Sequence, residues 1–120
     1  MARTDIPVVS NAAGTFVAAS AGTTADPTND HSVTIDFPLE ELELIFTQTD
    51  ATGREATIVA GDSPPALSAG QGSIAQTIAQ NGVYRVSGLE SARFLQSDGT
   101  LHIDLAASFA GTIQAYRVPR

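Results

Sequence analysis

The chain has 120 residues, a formal net charge of −7 and no cysteine. A chain of this length makes one domain that buries about two-thirds of its unfolded surface without cross-links, and the missing thiols exclude a disulfide framework or a thiolate metal site. Nine acids against Arg54 alone crowd residues 26–62, and there is no lysine anywhere. Nucleic-acid binding draws on cations that neutralise phosphates, so this balance argues against DNA or RNA as the partner; the acidic block reads first as a solvated face.

No window approaches the ~18–20 consecutive apolar residues of a membrane span, and the start MARTDIPVV lacks a secretory leader. The expectation is a soluble protein made in the cytoplasm, without a membrane partner.

Residues 1–30 carry two short apolar patches, at 6–9 and 16–19, in a background of small polar residues. They read as weak edge strands or as an extended N-terminal arm that orders against a partner, and Pro7 weighs against an inner strand at the first patch. On the arm reading, deleting residues 1–10 leaves the fold intact. Residues 31–120 read as the folded domain. Val33, Ile35 and Phe37 alternate with polar neighbours until Pro38, and Leu42, Leu44 and Phe46 point inward with Glu41 and Glu43 outward. Residues 48–55 are a loop, 56–60 a short strand, and Gly61 with Asp62, Ser63, Pro64 and Pro65 closes it. Between 66 and 82 we read loop and strand, since Gly72 and Gly82 leave little room for a stable helix. Residues 83–86 are a strand.

The most regular stretch, 89–120, reads as three consecutive antiparallel strands. Residues 93–96 lead into a hairpin turn at Asp98-Gly99. In 100–105, Leu101, Ile103 and Leu105 share one face and His102 and Asp104 the other. A bend at Ala110-Gly111 starts the last strand. Seven to nine short strands with no convincing helix predict an all-β fold: a two-sheet antiparallel sandwich, jelly-roll or immunoglobulin-like.

The residues offer little chemistry. His102 and Asp104 share a strand face, but a zinc site needs three or four ligands and His31 is distant in sequence. The Asp98-Gly99 and Asp50-Ala51-Thr52-Gly53 turns lack the continuing spacing of a calcium loop. No serine sits in a nucleophile elbow, and Glu41 with Glu43 on an acid-rich strand is a poor setting for a raised carboxyl pKa. Gly70-x-Gly72 precedes no clear helix. The expectation is a binding or structural module, not an enzyme, with no cofactor and no metal.

Two segments then carry a resemblance: AGDSPPAL with AGQG (residues 60–67 and 69–72), and LESARFLQSDG (residues 89–99) continuing to Phe109-x-Gly111-Thr112 and RVPR at 117–120. With the MARTxIP-like start, they resemble small virion proteins of actinobacterial tailed phages, and the chain looks like a head decoration (capsid cement) protein. The likeness lies mainly in the C-terminal half. It implies a protein on the outer capsid surface of the virion, bridging copies of the major capsid protein, and a homo-oligomer, in the manner of a trimer. Under that resemblance the contact residues are Arg3, Asp5, Ile6, Val8 and Val9 at the N-terminus and Arg117 and Arg120 at the C-terminus. The alternatives are a tail or head–tail connector protein, or a glycan- or protein-binding β-sandwich on the virion.

Overall fold

A computed structural model describes residues 3–11, 14–19, 21–61 and 72–118. The strands are β1 (Thr4–Asp5), β2 (Val8–Ser10), β3 (Thr23–Thr24), β4 (His31–Thr34), β5 (Leu42–Gln48), β6 (Arg54–Ile58), β7 (Ile74–Ile78), β8 (Gly82–Ser87), β9 (Thr100–Leu105) and β10 (Gly111–Arg117). They form an all-β sandwich of two five-stranded sheets. One sheet runs β1-β4-β9-β6-β7; the other runs β2-β10-β5-β8, with β3 also paired to β10. Pro7, which has no N–H to donate to a ladder, lies at the crossing from β1 to β2, where the chain passes from one sheet to the other.

Alternation sets the core. Leu42, Leu44 and Phe46 from β5 meet Leu101, Ile103 and Leu105 from β9 across the interior, and Ile58, Ile113 and Ala115 complete the two facing rows. Each is at most 7% exposed, so the period of two in the sequence became the inside–outside division. Burying such side chains contributes roughly 1.5–3 kcal/mol apiece.

Two expectations need correction. The sheets are mixed: β1 pairs in parallel with β4, and β2 in parallel with β10. The 89–120 stretch is not a three-stranded meander either. Ser91–Phe94 is a single helical turn, α1, because the Glu40 carboxylate accepts from the Ser91 N–H (3.2 Å) and hydroxyl (3.0 Å). A carboxylate on the first N–H of a turn favours helix there. Phe94 and Leu89 fall into the core, and the Asp98-Gly99 turn joins this turn to β9, not two strands. Strands β9 and β10 belong to different sheets, and residues 106–110 carry the chain across the sandwich edge with Phe109 buried at 2% exposure.

Among the described residues Gln48 is the one fully buried side-chain amide, and it holds the crossover from β7 to β8. Its Nε2 donates to the Ile78 carbonyl at 2.9 Å and lies near those of Asp50 and Thr52, while its Oε1 accepts from the Asp50 N–H. Gln48→Leu keeps the volume but strands buried backbone groups, which costs about 1–3 kcal/mol. The expected result is a lower midpoint in urea unfolding with an unchanged slope; an unshifted midpoint would mean that water takes over the amide's partners.

Candidate binding surface

The contact residues expected from sequence fall in several places. Ile6 is 2% exposed and belongs to the protein's own core. Its N–H donates to the Ser32 carbonyl at 2.9 Å, so the N-terminus is stitched into the sandwich. Deleting residues 1–10 therefore removes a core side chain and two strands, and loss of fold, not loss of a free arm, is its expected first effect. Arg3 donates to Asp104 Oδ1 at 2.7 Å and reaches the His31 and Ile103 carbonyls. Asp5 is exposed, and Val8 packs partly against the core. Val9 lies beside Tyr116 in the β2–β10 ladder. Arg117 pairs with Glu41 at 2.8 Å and stands over the Phe37 ring. Arg120 and residues 62–71 of the first motif lie outside the described residues.

The residues weighed for chemistry are occupied in ordinary ways. Glu43 pairs with Arg85 at 2.9 Å, so each carboxylate of the Glu41–Glu43 pair has its own arginine. Asp104 pairs with Arg3 on the outer face of its sheet, where His102 sits opposite Ser32. Asp98 is held below the ordinary carboxylate value, first by the Thr100 hydroxyl, as a turn-capping aspartate should be. Asp50 is likewise lowered, first by the Thr52 N–H and then by Arg54. Among the described residues no three His, Cys, Asp or Glu side chains are grouped to hold a metal ion.

What the structure brings together is a recess whose two charged groups, Glu43 and Arg85, neutralise each other in an ion pair. The outward faces of β5 and β10 present Glu43, Ile45, Gln114 and Tyr116, and residues 14–19, following β2, run over them. The groove has a volume of 570 Å³, with Arg85 at its margin. Phe16 stands on its rim fully exposed, at 107% relative accessibility, and Val17 beside it is 42% exposed. The reason is local: residues 14–19 belong to no strand, so no sheet alternation turns Phe16 inward. The edge of the same sheet adds Val83 at 62% and Tyr84 at 41%. Tyr84 closes one side of a second, apolar opening of 280 Å³ between the sheets, lined by Phe46, Ile58, Ile74, Ile78 and Val86. A surface of this kind can dock a protein.

Sequence reading misses this surface because the 16–19 patch reads either as a weak edge strand or as part of an extended arm. The available signal was Gly14 before it and Gly22 after it, both with positive φ (74° and 90°), which bracket a loop better than a strand.

No protein-family model, curated protein or solved structure matches the chain.

Proposed function

We propose that the protein is a phage head decoration protein: a binding module that docks on the outer surface of an expanded capsid and bridges neighbouring copies of the major capsid protein, itself as a homo-oligomer. The observation that supports this reading is the fully exposed Phe16 on the rim of the outer-face groove. Phe16 and Val17 together form an exposed apolar rim on a groove, and such a patch beside a recess is where docking surfaces are found. The sequence resemblance supplies the kind of partner. Arg3 and Asp5 at the β1 edge of one sheet, Val8 and Val9 at the β2 edge of the other, and Arg117 with Arg120 form the secondary contact in this reading.

The mechanism is linkage. A module that binds the assembled lattice but not loose subunits shifts the equilibrium toward the shell by mass action, and many modest sites on one particle act together.

The test is co-sedimentation of the purified protein with undecorated, expanded heads of the phage that encodes it, with copy number measured per particle. Saturable binding at many copies over the shell is expected. Phe16→Ser should leave the melting temperature unchanged, because the side chain touches little, and weaken head binding at least about tenfold, as loss of a buried aromatic anchor does. Binding confined to tails or one vertex, or affinity for host-surface glycans without heads, would replace this reading.

A further inference from the structure

The second histidine sits where the N-terminus is tied down. His31 is fully buried on β4, opposite Ile103 of β9 and beside Thr4 of β1. Both ring nitrogens are engaged. The Asp26 backbone N–H donates to Nε2 at 2.9 Å, and Nδ1 lies 3.1 Å from the Thr4 carbonyl oxygen. A backbone N–H can only donate, so Nε2 must be the acceptor and Nδ1 must carry the proton toward Thr4. The neutral imidazole thus joins β1 to the turn at residues 26–30.

The same joint is reinforced around the ring. Asp26 accepts from the Thr4 hydroxyl at 2.6 Å and from the Asn29 N–H at 3.2 Å. Asp30, at φ 60°, accepts from the Leu105 N–H through its side chain and from the Thr4 N–H through its carbonyl, both at 2.9 Å. β1 is two residues long and, among the described strands, pairs with β4 alone; on either side of it Arg3 holds Asp104 at 2.7 Å and the buried Ile6 donates to the Ser32 carbonyl, and the His31 joint acts beside these ties.

We propose that His31 is a pH-sensitive latch: neutral, it fastens β1 and the 26–30 turn to the sandwich, and protonated in mild acid it lets them open. The geometry carries this. A second proton on Nε2 would face the Asp26 N–H, donor against donor, and no rotation of the ring cures that, because the other nitrogen must keep donating to Thr4. The charges around the ring act in both directions. Asp26 and Asp30 on the turn favour the imidazolium, and Arg3, preceding β1, opposes it. From β9, Asp104 is paired to Arg3, and His102 lies on the opposite face of the sheet; Asp5 of β1 is exposed to solvent. Desolvation is the largest influence and holds the ring below the ordinary value of 6.5.

The sign follows. With the folded value lowered, the unfolded or opened form binds the proton first, so the latch is complete above pH 6.5 and its contribution is lost as pH falls from there through the folded value. Asp26 is a separate event: its own value is depressed below 3.8, first by the Thr4 hydroxyl, so its hydrogen bonds persist through the histidine window. What opens in mild acid is β1 with its turn, exposing Ile6, while the facing rows of β5 and β9 stay closed. Local opening of a short edge strand is the ordinary low-energy excursion of a sandwich.

The test is hydrogen exchange on the full chain at pH 7.5 and pH 5, read as protection after dividing out the intrinsic exchange rate. Protection of the Thr4 and Ile6 amides should fall about tenfold or more at the lower pH, and that of the Leu44 and Ile103 amides should hold. His31→Gln, which cannot titrate, should abolish the difference, and His102→Gln should keep it. Because His31→Gln removes a buried group, the wild-type ring is also followed by nitrogen NMR. The expected outcome is the Nδ1–H tautomer at pH 7.5 and a protonation midpoint below 6.5, with Thr4 and Ile6 protection falling between pH 6.5 and that midpoint. Equal protection at both pH values, or a ring that titrates with no change in those amides, would overturn the proposal.

Discussion

Replacing Gly111 with alanine is expected to cost about 3 kcal/mol or more and to lower the melting temperature by about 10 °C or more. Gly111 begins β10 at φ 126°, a region that residues with a Cβ avoid. A Cβ there would also overlap the Thr47 carbonyl, which is backbone and cannot swing aside. The position has no slack, because Gly111 faces Gln48 in the β5–β10 ladder and its carbonyl accepts from the Ala25 N–H at 2.9 Å. Relieving the overlap would pull β10 off β5, and β10 also pairs with β2 and β3. Gly72, whose added Cβ meets nothing within 4 Å, is the control: Gly72→Ala should melt within a few degrees of the parent. Thermal melts followed by circular dichroism decide it. If Gly111→Ala melts with the parent, the crossing from β9 to β10 is looser than its geometry implies.

That crossing also marks how far the sequence could be read. The bend at Ala110-Gly111 was visible because glycine after a strand pattern signals a turn, and Leu101, Ile103 and Leu105 announced their face by alternation. Neither signal says which sheet the next strand joins. Partner choice depends on backbone ladders and on Phe109 filling the interior between sheets, and neither leaves a periodic trace. The helical turn at Ser91–Phe94 was hidden for another reason. Its cap is Glu40, some fifty residues away in the chain, so no local pattern could reveal it. Likewise the N-terminal pairings are two- and three-residue ladders, too short for alternation to show.

The docking surface was less legible than the fold. Half of its floor is the outward side of the β5 alternation, so Ile45 follows Glu43 outward; β10 shows no such alternation to place Tyr116. Its roof depends on residues 14–19 lying across a sheet assembled mainly from distant segments. The His31 joint is of the same kind: Thr4, Asp26 and His31 are separated by 22 and 5 residues, and only the parallel pairing of β1 with β4 draws them together. Lone histidines are unremarkable in a sequence. A buried one with both nitrogens committed is a constraint that only tertiary structure creates.

Ile103→Asp is expected to abolish soluble folded protein. Ile103 is 0% exposed, in register with Ile58 on β6 and with His31 on β4, so it lies on the central strand of its sheet. A carboxylate there loses its water with no cation facing it from the interior rows, and it also removes a large side chain from the core. The cavity alone costs about 2–5 kcal/mol, and the unpaired buried charge adds several more. Together these are comparable to the whole stability of a typical domain, about 5–15 kcal/mol. The neighbouring residue gives the contrast, because in a strand one step is the whole difference between core and surface. His102→Asp, on the outer face opposite Ser32, should fold and melt within a few degrees of the parent. Soluble yield and near-ultraviolet circular dichroism of the two variants side by side measure this. A folded Ile103→Asp protein beside an insoluble His102→Asp protein would mean that β9 presents the opposite face to the core, and every pairing built on its register would shift with it.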